Sequence, residues 1–175
     1  MSRHEVLISG FGGQGVAVTG RALGSAAVSA GLRATMLLSH GTETRGGYVR
    51  SQVVISDESI DSPVVENPDI FCALSQAAYT RFIHLVSQGV VFYDPETATP
   101  GPASGARLVA VPAREIALES AGNERAANSV MLGAVLRRLN LFPVKYGMQA
   151  LRGLLPRHAE SNIRAVRAGY LRYME

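Results

Sequence analysis

Glu5-Val6-Leu7-Ile8-Ser9, running into Gly10-Phe11-Gly12-Gly13-Gln14-Gly15, is the stretch on which the fold turns. Its first half is an apolar run of strand length, and its second half is a turn dense in glycine. From Val16 to Ala30 the apolar residues Leu23, Ala26, Ala27 and Ala30 recur at helical spacing, and Gly31 is placed to end that helix. Ala34 to Leu38 then reads as a second strand. Strand, helix and strand in so short a span form a βαβ unit, which predicts a sheet parallel at its centre with a right-handed crossover.

Outward from this unit, Ser39 to Gly47 reads as a polar loop and Tyr48 to Ser56 as an alternating strand with one wet face. Asp57 to Pro68 is acidic, holds two prolines and reads as loop. Asp69 to Leu74 and Val90 to Tyr93 are buried strands with a helix, Gln76 to Ser87, between them. Pro95 to Ala106, rich in Pro, Gly, Ala, Ser and Thr, is the segment expected to be flexible. Arg107 to Val111 is a strand and Pro112 to Glu119 a helix whose first position suits proline. Helices follow over Glu124 to Leu139, over a short Leu151 to Leu155 stopped by Pro156, and over Arg157 to Tyr173. The expectation is α/β: a mostly parallel sheet with flanking helices and a helical C-terminal segment, in one domain spanning residues 1–175.

Composition excludes several classes of function. Hydrophobic residues make up 47% and charged residues 18% of the 175, which fits a packed domain and not a disordered chain. No apolar run approaches the roughly 18 residues of a membrane span. The N-terminus enters a strand without a signal-peptide core, so a cytoplasmic location is expected. The single cysteine, Cys72, cannot build a disulfide, zinc site or iron–sulfur cluster from this chain alone, and its apolar neighbours suggest a buried, inert thiol. Residues 1–100 carry 6 Arg against 9 acidic residues, while residues 101–175 carry 10 Arg and 1 Lys against 5 Glu. The basic residues are spread along helices with few aromatics between them, which argues against nucleic acid.

Three motifs carry chemistry. In Gly10 to Gly15, glycine lets the backbone approach a ligand closely. The helix that follows points free N–H groups and a partial positive charge into the turn, a setting for phosphate. A tight structural turn is the plain alternative. No acidic residue follows the second strand, where Ser39 and His40 stand, so NAD and FAD are disfavoured; the Lys of a P-loop is missing too, which speaks against a free-standing nucleotide-binding enzyme. In His40-Gly41-Thr42-Glu43-Thr44-Arg45-Gly46-Gly47, Arg45 suits a bidentate grip on phosphate or carboxylate, Glu43 could orient it, and Gly46-Gly47 permit close backbone approach. The alternative there is a surface Glu–Arg pair of little energetic consequence. Both loops follow parallel strands, which places them at one sheet edge around a candidate cleft. Finally, Asn128 is a polar residue in an otherwise apolar helical stretch, and a buried amide must find partners. It either caps a glycine loop or touches a ligand.

Together with Ser56-Asp57 to Ile60 to Ser62-Pro63, with Asn67-Pro68-Asp69, and with Asn128 followed by Gly133, these motifs resemble the gamma subunit of 2-oxoacid:ferredoxin oxidoreductases over nearly the whole chain. The stretch Gly41 to Gly47 is most similar to the 2-oxoglutarate branch. The resemblance implies a subunit of an enzyme that decarboxylates a 2-oxoacid oxidatively, traps the acyl group on coenzyme A and passes electrons to ferredoxin. It implies that thiamine diphosphate and the iron–sulfur clusters belong to alpha, beta and possibly delta partners. This chain would then help to bind coenzyme A through Gly12, Gly13, Gln14, Gly15, Glu43, Arg45, Gly46, Gly47 and Asn128, with no catalytic residue and no complete active site. A purely structural assembly subunit without a ligand is the alternative. An apolar docking surface is expected on the C-terminal helices, and the isolated chain could pair with a second copy through surfaces meant for its partners.

Overall fold

The computed structural model describes residues 2–41, 47–102 and 105–173. Six strands form one sheet in the order β2-β3-β1-β4-β5-β6, with β1 Arg3–Phe11, β2 Arg33–His40, β3 Tyr48–Ser56, β4 Ile70–Ala73, β5 Val90–Tyr93 and β6 Arg107–Ala110. Pairing is parallel from β1 through β4 and β5 to β6. The expected βαβ unit is present but opened: β1 and β2 run in the same direction, with β3 inserted between them and antiparallel to both. Residue spacing cannot reveal that insertion, because β3 comes later in the chain and claims its place by long-range pairing.

Side-chain alternation gives the sheet two faces. Val6, Ile8, Cys72 and Phe92 point to one, which α1 (Val16–Ser29) and the later helices cover. Leu7, Phe71 and Val91 point to the other, covered by α2 (Gln76–Phe82) and by hydrophobic residues of the segment before β4. That segment is loop, as expected, and is strapped down. Glu5 accepts from the amides of Glu66 and Asn67 at 2.9 and 3.1 Å, Asp69 accepts from the Glu5 amide at 2.8 Å, and Asn67 accepts from both the amide and the hydroxyl of Ser87. Asn67-Pro68-Asp69 therefore clasps the sheet at its bottom edge. The segment after β5 is also pinned where it is described: Gln76 and Thr99 are joined at 2.7 Å, the Tyr79 hydroxyl donates to Gly101 O at 2.8 Å, and Ala98 is buried. Ala103 and Ser104 lie outside the described residues.

Of the helices, α3 (Ala113–Ala121), α4 (Ala127–Leu139) and α6 (Ala159–Arg172) match the sequence reading, apart from 3-10 turns at Glu124–Ala126 and Pro156–His158. The short helix expected at Leu151 is longer, α5 running Lys145–Leu154. Gly147, which weakens the local helical signal, sits where its missing side chain would meet Leu136 Cδ1 at 2.4 Å, so helix packing holds it in place. The closest approach is between α4 and α6. A Cβ on Gly133 would lie 2.2 Å from Val166 O, and one on Gly169 would lie 2.0 Å from Val130 O.

Cys72 is fully buried, and burial pushes its thiol from 9.0 up to about 12. In the unfolded chain the thiol ionises near its ordinary value while the native one stays protonated. The native state therefore binds more protons above pH 9, and stability should fall as pH rises from about 9 toward 12. Alkylation with iodoacetamide at pH 8 should likewise track global unfolding, and fast labelling of the native chain would contradict this burial.

Candidate functional site

The turn between β1 and α1 closes on itself once, the Gln14 amide donating to Phe11 O at 3.2 Å, and leaves the amides of Gly12, Gly13 and Gly15 without a partner among the described residues. Gly15 stands at the N-terminus of α1 in the left-handed region, φ 80°, without any side-chain cap, and the first turn holds no acidic residue. Gly13 is left-handed too, at φ 88°. A Cβ on Gly12 or Gly13 would meet nothing within 4 Å, so this arc of backbone faces open space. Phe11, 39% exposed, stands at its lip. Gln14 is held within the turn. Its Oε1 accepts from the Phe11 amide at 2.6 Å and its Nε2 donates to Leu74 O at 2.8 Å, so its amide braces the turn against the end of β4.

Asn128 packs on the first glycine loop without capping it by a hydrogen bond. A Cβ on Gly15 would lie 2.4 Å from Asn128 Nδ2, so the amide packs directly on the turn while reaching Thr19 Oγ1 at 3.4 Å. Thr19 in turn donates to Gly15 O at 2.9 Å. Asn128 is buried yet lines a cleft of about 250 Å³ beside the turn.

That cleft lies at the carboxyl ends of β1, β4 and β5. From β1 the chain goes to one side of the sheet, while β4 and β5 lie on the other, and such a switch point is where open α/β sheets take ligands. Gly13, Gln14, Leu74 and Met131 form one part of the lining, and its charged residues are ones absent from the sequence expectation: Asp94, Arg114, Glu124 and Arg125. Asp94, buried just past β5, accepts from the amides of Glu96 at 3.0 Å and Arg114 at 2.8 Å, tying the strand end to the start of α3. The Arg114 guanidinium hydrogen-bonds Glu124 and lies 3.4 Å from Glu96, and the Glu124 bond holds its pKa above the usual arginine value. Arg125 is exposed and has no side-chain partner among the described residues. The signal that could have found these four was the switch-point rule together with the acid after Tyr93. Their convergence, however, depends on α3 and α4 folding back over the sheet.

The strand ends that flank the second glycine loop lie at this same edge. Gly10 and His40 both sit opposite Val49, and the Gly41 amide donates to Tyr48 O at 2.8 Å. Gly47 lies at the entrance to β3, whereas Glu43, Arg45 and Gly46 lie outside the described residues. Beside Gly41, Arg81 stacks on Tyr48 at 4.3 Å and Arg50 lies over Phe82 at 5.3 Å, giving this side of the edge a cationic, aromatic character. Among the described residues the cleft is bounded by the β4 and β5 side and not by this loop. No group of three or more His, Cys, Asp or Glu is placed to hold a metal ion, and no helix is long and apolar enough to cross a membrane, again among the described residues.

A family model described as pyruvate ferredoxin/flavodoxin oxidoreductase matches residues 5–172. The chain belongs to this family. It is 38% identical to the 2-oxoglutarate synthase subunit KorC of Methanothermobacter marburgensis, over 99% of this chain and 98% of that protein. The gamma subunit of a keto/oxoacid ferredoxin oxidoreductase from Geobacter sulfurreducens superposes with a TM-score of 0.84 at 29% identity, over 96% of both chains. A 2-oxoglutarate:ferredoxin oxidoreductase from Magnetococcus marinus, solved with 2-oxoglutarate, coenzyme A and succinyl-CoA bound, shares the fold at TM-score 0.86 and 23% identity. There the match covers 98% of this chain and 31% of that one. The chain is thus a gamma-type subunit of a 2-oxoacid oxidoreductase, as its motifs suggested.

Proposed function

We propose that this subunit holds part of coenzyme A for a 2-oxoacid:ferredoxin oxidoreductase, with 2-oxoglutarate as the acid. The observation that carries the reading is the open arc Gly12–Gly15 at the uncapped start of α1, facing a cleft at the switch point of the sheet. Amide donors and the helix dipole favour a phosphate or a pantetheine carbonyl there. Arg125 would supply charge at the cleft, and Arg45 with Glu43, Gly46 and Gly47 completes the proposed binding set. At about 250 Å³ the cleft falls below the roughly 300–1,000 Å³ of complete small-molecule sites, so partner subunits would enclose the rest of the ligand. Orientation of the thiol by binding energy from remote parts of the ligand is then this chain's contribution to rate. The reading places residues 1–175 in one domain, in the cytoplasm, with alpha, beta and possibly delta partners that hold thiamine diphosphate and iron–sulfur clusters and deliver electrons to ferredoxin. The finding that Gln14 serves the turn favours the second reading, a purely structural assembly subunit.

Arg45→Ala and Arg125→Ala, each in the assembled complex, separate the two. Losing one charged hydrogen bond of about 1.5–3 kcal/mol should raise the coenzyme A KM by about 10- to 100-fold while subunit composition stays intact. An unchanged KM for both, or a complex that falls apart, would favour assembly alone. Thiamine and iron assays on the co-purified complex test the partner assignment.

A further inference from the structure

The edge strand β2 lacks the protection that free edges carry. It is eight residues long, Arg-Ala-Thr-Met-Leu-Leu-Ser-His, without proline, and its only charged or titratable side chains stand at its two ends. At the other margin of the sheet β6 has only four residues. Monomeric proteins blunt such edges with charge, bulges or proline, so an unblunted one is a surface for pairing. The Gly41 amide donates to Tyr48 O, which makes that a hydrogen-bonded pair. By antiparallel alternation Ser39, Leu37 and Thr35 also bond inward to β3, so Ala34, Met36, Leu38 and His40 turn their N–H and C=O outward. Among the described residues no strand pairs with that side. Next to it a groove of about 500 Å³ runs between α1 and β2, lined by Arg21, Gly24, Val28, Ala34, Thr35 and Met36, with Val28 58% exposed. The charged side chains of the edge and groove themselves are basic, Arg21 and Arg33, both exposed; the acids Asp57 and Glu58 follow Ser56, the partner of Arg33, at the far end of β3.

We propose that the outer edge of β2, with the α1 groove, receives an extended acidic segment of a larger subunit of the oxidoreductase, added to the sheet as a further strand. Outward amides and carbonyls supply the affinity, the groove takes alternate side chains, and carboxylates on the incoming strand meet Arg21 and Arg33. A second copy of this chain fits less well, because two-fold pairing sets one copy's groove, whose only charged lining residue is Arg21, against the same basic groove of the other. This surface is separate from the cleft and rests only on the chain's being a subunit.

The test uses the native complex, with a tagged chain co-expressed with its larger subunits. Ala34→Pro removes an outward N–H and leaves the β2–β3 ladder whole. Arg21→Glu combined with Arg33→Glu reverses the charge at two exposed positions that the fold does not need. Each variant should weaken association by at least about tenfold, with the thermal midpoint of the isolated chain nearly unchanged for the charge reversal. Association within twofold of wild type for both variants would overturn the proposal. So would an isolated wild-type chain that sediments as a dimer and becomes monomeric with Ala34→Pro, since a second copy would then be the occupant.

Discussion

Gly169→Ala is expected to lower stability by about 3 kcal/mol and the thermal midpoint by about 6–12 °C. The added Cβ would stand 2.0 Å from Val130 O, 2.8 Å from Val130 C and 3.0 Å from Val130 Cα, all backbone atoms that no rotamer change can clear. The two helices must separate, and buried neighbours such as Met131, Ala165 and Val166 lose contacts as they do. Gly133→Ala should behave alike, since its Cβ would meet Val166 O at 2.2 Å and Tyr170 N at 2.6 Å. Gly153 supplies the contrast. It lies within α5 with nothing within 4 Å of its Cβ, and alanine there should raise stability by about 0.4–1 kcal/mol through the unfolded chain. Thermal unfolding of the three variants checks the signs. A Gly169→Ala protein as stable as wild type would show that α4 and α6 are not packed as described.

The second large effect falls on the site. Gly15→Ala should lower kcat/KM for coenzyme A by about 10- to 100-fold in the assembled complex, because small displacements of a positioning element cost that much. Two causes add. At φ 80° a side chain brings roughly 1–2 kcal/mol of strain. The new Cβ would also lie 2.4 Å from Asn128 Nδ2 and 2.6 Å from Asn128 Cγ, so either the turn or Asn128 must move. Adding Asn128→Ala removes the two shortest contacts, keeps the Asn128 Cβ at 3.0 Å and leaves the strain, so the double variant should recover part of the loss. Gly12→Ala separates ligand from fold: its Cβ meets nothing in the chain, so the melting temperature should hold while the coenzyme A KM rises. If Gly15→Ala left KM unmoved in an intact complex, the turn would have no ligand to hold.

Much of the architecture was readable in local pattern. Val90–Tyr93 and Tyr48–Ser56 match their expected bounds, and α1 differs by one residue at its end. These segments announce themselves through alternation, apolar runs and glycine stops, signals that need no distant partner. Gly12, Gly13 and Gly15 were legible for the same reason, since a glycine turn between a strand and a helix is a local statement. The bracing role of Gln14 was not legible, because its partner Leu74 lies sixty positions away along the chain. Lys145–Ala150 went unseen because Gly147 weakens the helical signal while Leu136 supplies the reason for it.

By itself the sequence determined the α/β class, the glycine turn on α1, the buried single thiol and the family resemblance, since each follows from neighbouring residues or from their types. Tertiary structure alone decided that β3 enters between β1 and β2, that Asp94, Arg114, Glu124 and Arg125 meet at the switch point, and that β2 is left as a bare edge. Those outcomes depend on which strand ends pair and which helices fold back over the sheet. Contacts between residues tens of positions apart leave no periodicity along the chain to announce them.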